Sequence, residues 1–146
     1  MILKYISIVL TTCTLSIILL AFQSKKQDIG KLLFQNSCAS CHLPNKTTKN
    51  GPSFQKIRND YGLDWTIRFL RNPMKMVDSG DINATYSYYL FNEIRHSGFG
   101  GLEKTYIISV LDYVDRLPLD SSQIKHRFVS KEEKLKFINT RRNKLN

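Results

Sequence analysis

The chain is 146 residues long, with 22 Lys and Arg against 12 Asp and Glu, a formal net charge of +10. That balance predicts attraction to acidic surfaces, but no nucleic-acid motif accompanies it, so an anionic membrane face or an acidic protein partner fits better than nucleic acid. With an apolar N-terminal stretch and a basic tail set aside, about Gln27 to Pro118 remain, enough for one small domain whose core is marginal alone.

Tyr5 to Phe22 contains no charged residue and is flanked by Lys4, Lys25 and Lys26. Residues 1–26 therefore read as a signal peptide or a membrane anchor, since a span needs about 20 apolar residues. The lack of an A-x-A-like cleavage site around Ala21 to Ser24 favours the uncleaved anchor. Cys13 is read as an ordinary buried residue of that segment.

Asp28 to Ser37 reads as a short helix capped by Asp28, with Leu32, Leu33 and Phe34 as its apolar face. Gly30 lies on the face of Phe34, four residues before it, and predicts close approach of another helix. Cys38-Ala39-Ser40-Cys41-His42 follows directly. C-x-x-C-H is the attachment sequence for c-type haem. Two thiols one helical turn apart can each form a thioether with one vinyl group of a single porphyrin, and the next histidine is carried beneath the ring to the iron. A dithiol redox site and half of a zinc site are the competing readings. The flanks lack the strand–helix alternation of the first, and the only other thiol, Cys13, leaves the second without partners. A porphyrin would also give a small chain a large apolar body to fold around.

Leu43 to Ser53 is loop, rich in Pro, Asn, Thr and Gly. A second helix is predicted after Asp64, where Trp65, Phe69 and Leu70 recur at helical spacing until Asn72-Pro73 stops it. Ser79-Gly80-Asp81 reads as a break and cap, after which Ile82, Tyr86, Leu90 and Ile94 predict an amphipathic helix. Its neighbours Tyr88, Tyr89 and Phe91 read with Tyr86 as pocket and core packing. His96 to Gly101 is a glycine-rich loop, and a last helix runs from near Leu102 through Tyr106, Ile107, Val110, Leu111, Tyr113, Val114 and Leu117 to Pro118. Residues 121–146 carry eight Lys or Arg against Glu132 and Glu133. That tail is expected to be mobile or a loosely held helix, either solvated or docked on an anionic surface, and His126 within it to be solvated.

From Asp28 to Pro118 the sequence resembles the class I cytochrome c family. Gly30 and Phe34 are similar to the glycine and aromatic of that family's first helix, and Val110 and Tyr113 to their partners on its last. Gly51-Pro52 resembles the glycine–proline pair whose proline carbonyl accepts a hydrogen bond from the proximal histidine, here His42. Asn72-Pro73 and Tyr113-Val114 also match. The departure is at the sixth iron ligand, a methionine in the family. Here His96 stands in that loop, Phe99 and Leu102 keep the family spacing, and no methionine occurs after Met76. His96 is the favoured ligand, with Met76, Met74 or an open position as alternatives.

The resemblance implies an all-α fold: a small helical domain (27–118) around one covalent haem c and its iron, with the apolar segment (1–26) before it and the basic tail (119–146) after it. Cys38, Cys41 and Pro52 are the expected cofactor-binding residues, and His42 and His96 the iron ligands. No catalytic residue is expected. The implied role is that of a monomeric single-electron carrier between redox proteins, with acidic partners. No nucleic acid and no small-molecule substrate is expected. It would sit on the periplasmic or other extracytoplasmic face of the membrane, tethered through residues 5–22. The alternatives are a gas or peroxide sensor or small haem enzyme with an open sixth position and, without haem, an anchored dithiol oxidoreductase.

Overall fold

A computed structural model describes residues 4–6, 10, 13, 14, 16, 29–48, 50–55, 57–118 and 129–145. Most of the proposed 5–22 anchor, the Asp28 cap and His126 lie outside the described residues. Among those described, no helix is long and apolar enough to cross a membrane, and there is helix and loop but no strand.

The elements are α1 (29–37), α2 (Ile57–Tyr61), α3 (Leu63–Arg71), α4 (Pro73–Asp78), α5 (Ile82–Leu90), α6 (Lys104–Asp115) and α7 (Lys131–Leu145). α1 and α6 cross where Gly30 meets α6, because a Cβ at position 30 would overlap the Ser109 carbonyl. That contact is the close approach the glycine predicts. One turn on, Phe34 packs against Tyr113 at 5.9 Å and edge-on against Phe54 at 5.9 Å. Ile107, Val110, Leu111 and Val114 form the buried stripe of α6, at the spacing of one helical face. With Phe34, Phe54, Ile57, Ile67 and Leu70 they make the core. Arg58 ties α2 to this helix through Asp112 and Asp115, both at 2.7 Å.

Three boundaries differ from those expected. The stretch before Asp64 contains α2, and Gly62, at φ 83°, turns the chain from α2 into α3. Pro73 ends α3 as expected but also opens α4, since a residue without an N–H costs nothing in a first helical turn. α5 is capped by Asp81, whose carboxylate accepts from Ala84 N–H at 2.9 Å, but ends at Leu90. Asn92 and Glu93 take left-handed conformations, with φ of 58° and 60°. Glu93 N–H closes the helix on the Tyr88 carbonyl, and Ile94 is left exposed.

The described part of the basic tail, residues 129–145, is held. Ser130 and Glu133 form a reciprocal cap at the start of α7, with Glu133 N–H donating to Ser130 Oγ at 3.2 Å and Ser130 N–H to Glu133 Oε2 at 2.9 Å. Ile138 and Lys134 are buried. The Lys134 ammonium donates to Asn83 Oδ1 at 2.9 Å and lies over the Tyr61 and Tyr86 rings at 5.4 and 5.8 Å. Tyr86 in turn meets Phe137 edge-on at 5.3 Å. α7 thus straps α5, the helix that leads into the His96 loop. Ile138→Ala should lower unfolding stability by about 2–4 kcal/mol and Ser130→Ala by about 1 kcal/mol in denaturant melts. A detached tail would leave both melts unchanged.

Candidate functional site

The thiols sit on the turn that continues α1. Phe34 carbonyl accepts from Cys38 and Ala39 N–H, both at 2.9 Å, and Cys38 carbonyl accepts from His42 N–H at 2.9 Å. This one-turn fold separates the two cysteines and swings His42 inward. Cys41 is exposed and Cys38 half-buried. Burial pushes the Cys38 thiol up to about 11, so at neutral pH it is an uncharged thiol before any thioether forms.

His42 is 8% exposed. Its Nδ1 lies 2.9 Å from Pro52 O, so Nδ1 carries the proton and donates to that carbonyl, which leaves Nε2 free to bind a metal. Phe54 backs the ring edge-on at 4.7 Å. Gly51 lies so close beneath the imidazole that a Cβ there would overlap its Cε1. The loop is braced by Thr48, whose hydroxyl donates to the Cys41 carbonyl at 2.9 Å, and by Ser53, whose hydroxyl donates to the Pro44 carbonyl at 2.9 Å. The His42 pKa is lowered, first by burial and further by His96, against the Pro52 hydrogen bond that raises it. The net result favours the neutral, ligating form.

Opposite stands His96, its ring centroid 6.1 Å from that of His42 and the planes inclined by 54°. Two imidazoles on opposite sides of one metal atom, each with a metal–nitrogen bond of about 2.0–2.1 Å, would place their centroids roughly 6 Å apart. His96 Nδ1 is buried and makes no hydrogen bond. Both histidines line one cavity whose other walls are mainly apolar, among them Phe69, Leu70, Val77, Ala84 and Phe91. Met74 lines it too, whereas Met76 does not. Phe54 and Leu70 also line a neighbouring apolar cavity that contains Cys38. Pro52, Phe69 and Phe91 are shared with a third of about 330 Å³, where Thr48, Asn83 and Asn92 add polar groups. The three cavities share walls, and Phe54 and Leu70 stand between the space beside Cys38 and the gap between the imidazoles. Among the described residues no group of three or more His, Cys, Asp or Glu side chains could hold a metal ion by itself.

Residues 27–97 match the family model described as Cytochrome c. Residues 27–97 carry a cytochrome c domain. No curated protein and no solved structure matches. The family match runs from α1 through the two histidines and stops before α6, which the Gly30–Ser109 crossing joins to the same unit. A cytochrome c domain implies covalently attached haem c with its iron. The residues present fit that group: one thiol, Cys38, beside an apolar cavity and a second, Cys41, exposed on the same turn, a neutral imidazole with Nε2 free, and a second, half-buried imidazole whose buried Nδ1 is unsatisfied.

His42, Gly51 and Pro52 come together as the family resemblance implies. Phe54 and Ile57 were not among the expected site residues, since α2 is too short to show a hydrophobic period, and neither was the way α4 lines the cavity through Pro73, Met74 and Val77. The Pro at the start of α4 was the available signal. Gly51→Ala should push the imidazole off the Pro52 carbonyl at a cost of about 1–3 kcal/mol. The check is the yield of haem-stained protein on denaturing gels beside its optical spectrum, and a wild-type yield and spectrum would contradict the contact.

Proposed function

We propose that this cytochrome c domain is a single-electron carrier with one haem c, attached through Cys38 and Cys41 and ligated by His42 and His96. The observation that supports it is the pair of imidazoles, His42 buried and His96 half-buried, with ring centroids 6.1 Å apart on the walls of one largely apolar cavity. When bound, the haem supplies a one-electron couple at its iron. The chain does the rest. Pro52 O orients His42 and strengthens it as a donor. The apolar walls keep water from the ring, which limits reorganisation when the charge changes.

With both axial positions filled by protein, no site is left for a substrate, and no general acid or base is needed. The protein is therefore read as a carrier, not an enzyme. Histidine in place of methionine lowers the potential within a range of roughly 0.8 V that axial ligands span. The +10 charge suits acidic redox partners. Haem attachment fits a periplasmic or other extracytoplasmic location, with residues 5–22 as the tether and the protein a monomer.

The haem-loaded protein should give a low-spin ferrous spectrum that carbon monoxide alters only at high concentration. His96→Ala should convert it to high-spin iron that binds carbon monoxide readily. A low-spin spectrum that survives His96→Ala would transfer the ligand role to another residue, with Met74 on the same cavity wall the first to replace. Ready carbon monoxide binding by the wild type would instead favour a sensor.

A further inference from the structure

The loop that carries His96 contains Gly98, Gly100 and Gly101. Glycines lose more conformational freedom on ordering than other residues, so such a loop does not hold a ligand in place unaided. Here the C-terminal turn of α3 holds it from three directions. Phe99 N–H donates to the Leu70 carbonyl at 2.9 Å, one of the carbonyls that a helix end leaves without an internal partner. Gly98 lies directly on the Arg71 carbonyl, where a Cβ would overlap the oxygen and approach Pro73 Cδ to 2.8 Å. Beyond the glycines, Arg71 Nε and Nη2 both donate to the Leu102 carbonyl, at 3.2 and 3.0 Å. Arg71 therefore touches the loop with its backbone on one side of Phe99 and with its guanidinium on the other. Its charged, forked donor makes the stronger kind of hydrogen bond and fixes direction as well as distance.

The geometry points to Arg71 as the positioning residue for the distal ligand: it clasps residues 98–102 and so sets how often His96 leaves the iron. This rests on the reading of His96 as a ligand. Arg71 does not touch the cavity between the histidines and acts only through the loop. The apparent affinity of an external ligand scales with the fraction of molecules whose sixth position is open, so loosening the clasp is read directly as carbon monoxide binding.

The experiment compares haem-loaded wild type, Arg71→Met, Arg71→Lys, Arg58→Met and His96→Ala, each reduced and titrated with carbon monoxide. Arg71→Met should bind about tenfold more tightly than wild type, and Arg71→Lys, which keeps a charged donor, should return most of the way. Arg58→Met removes another half-buried guanidinium, that of the α2–α6 contact, and should bind as wild type does. Arg71→Met within twofold of wild type, while His96→Ala binds freely, would overturn the positioning role and leave the ligand reading intact. An equal gain in Arg58→Met would reduce the effect to general destabilisation and overturn it too. An unchanged spectrum in His96→Ala would remove the ligand reading and this inference with it. If Arg71→Met does not mature, Gly98→Ser crowds the same clasp from the Arg71 carbonyl side. It should raise carbon monoxide affinity, and wild-type affinity there would overturn the role.

Discussion

The structure is organised around one imidazole held still. His42 is fixed at Nδ1 by the Pro52 carbonyl, pressed from below by a backbone that only glycine at position 51 permits, and backed by Phe54. Each of these contacts draws in another part of the fold. Pro52 and Gly51 need the loop that Thr48 and Ser53 brace. Phe54 needs Phe34, and Phe34 needs the α1–α6 crossing that Gly30 allows. A histidine oriented this way has a defined tautomer and one free nitrogen, and every other residue of the site matters through what it adds on the far side of that nitrogen.

Much of this was legible in the sequence because it rests on short-range chemistry. Cys38 to His42 is a local motif whose spacing follows from one helical turn, and Asp81 is a cap whose partner lies three residues away. Gly30 could be read because a costly glycine on an apolar helix face has few explanations other than a crossing. What escaped reading depends on tertiary context. α2 and α4 are five and six residues long, too short to show a hydrophobic period. The end of α5 is set by the left-handed Asn92 and Glu93, and glutamate gives no warning of that conformation. The docking of α7 was concealed by its composition, since the side chain that fastens it is a lysine. A charge is seldom buried, and here Asn83 and the faces of Tyr61 and Tyr86 satisfy it. The Ser130–Glu133 capping box was readable from the sequence and went unread.

The distal side follows a different logic from the proximal side. His42 lies at the end of a helix-borne motif, whereas His96 sits on a loop with little structure of its own, fastened to the end of α3. α5 delivers the chain to that loop, and α7 lies across α5. One of the two histidines is thus placed by local sequence and the other by contacts between elements distant in the chain. This is also where the sequence departs from the methionine of its family. On the proposed ligation, a change of ligand there would alter the potential without altering the fold, because the residue is carried by a loop and not by the core.

The central claim is that His42 and His96 bind one iron from opposite sides. The near-infrared magnetic circular dichroism of the oxidised, haem-loaded protein tests it most directly, because the charge-transfer band of low-spin ferric haem reports the identity of both axial ligands. The account predicts a low-spin band characteristic of two imidazoles, lost in His96→Ala. A band characteristic of histidine–methionine ligation, or a high-spin spectrum in the wild type, would contradict it.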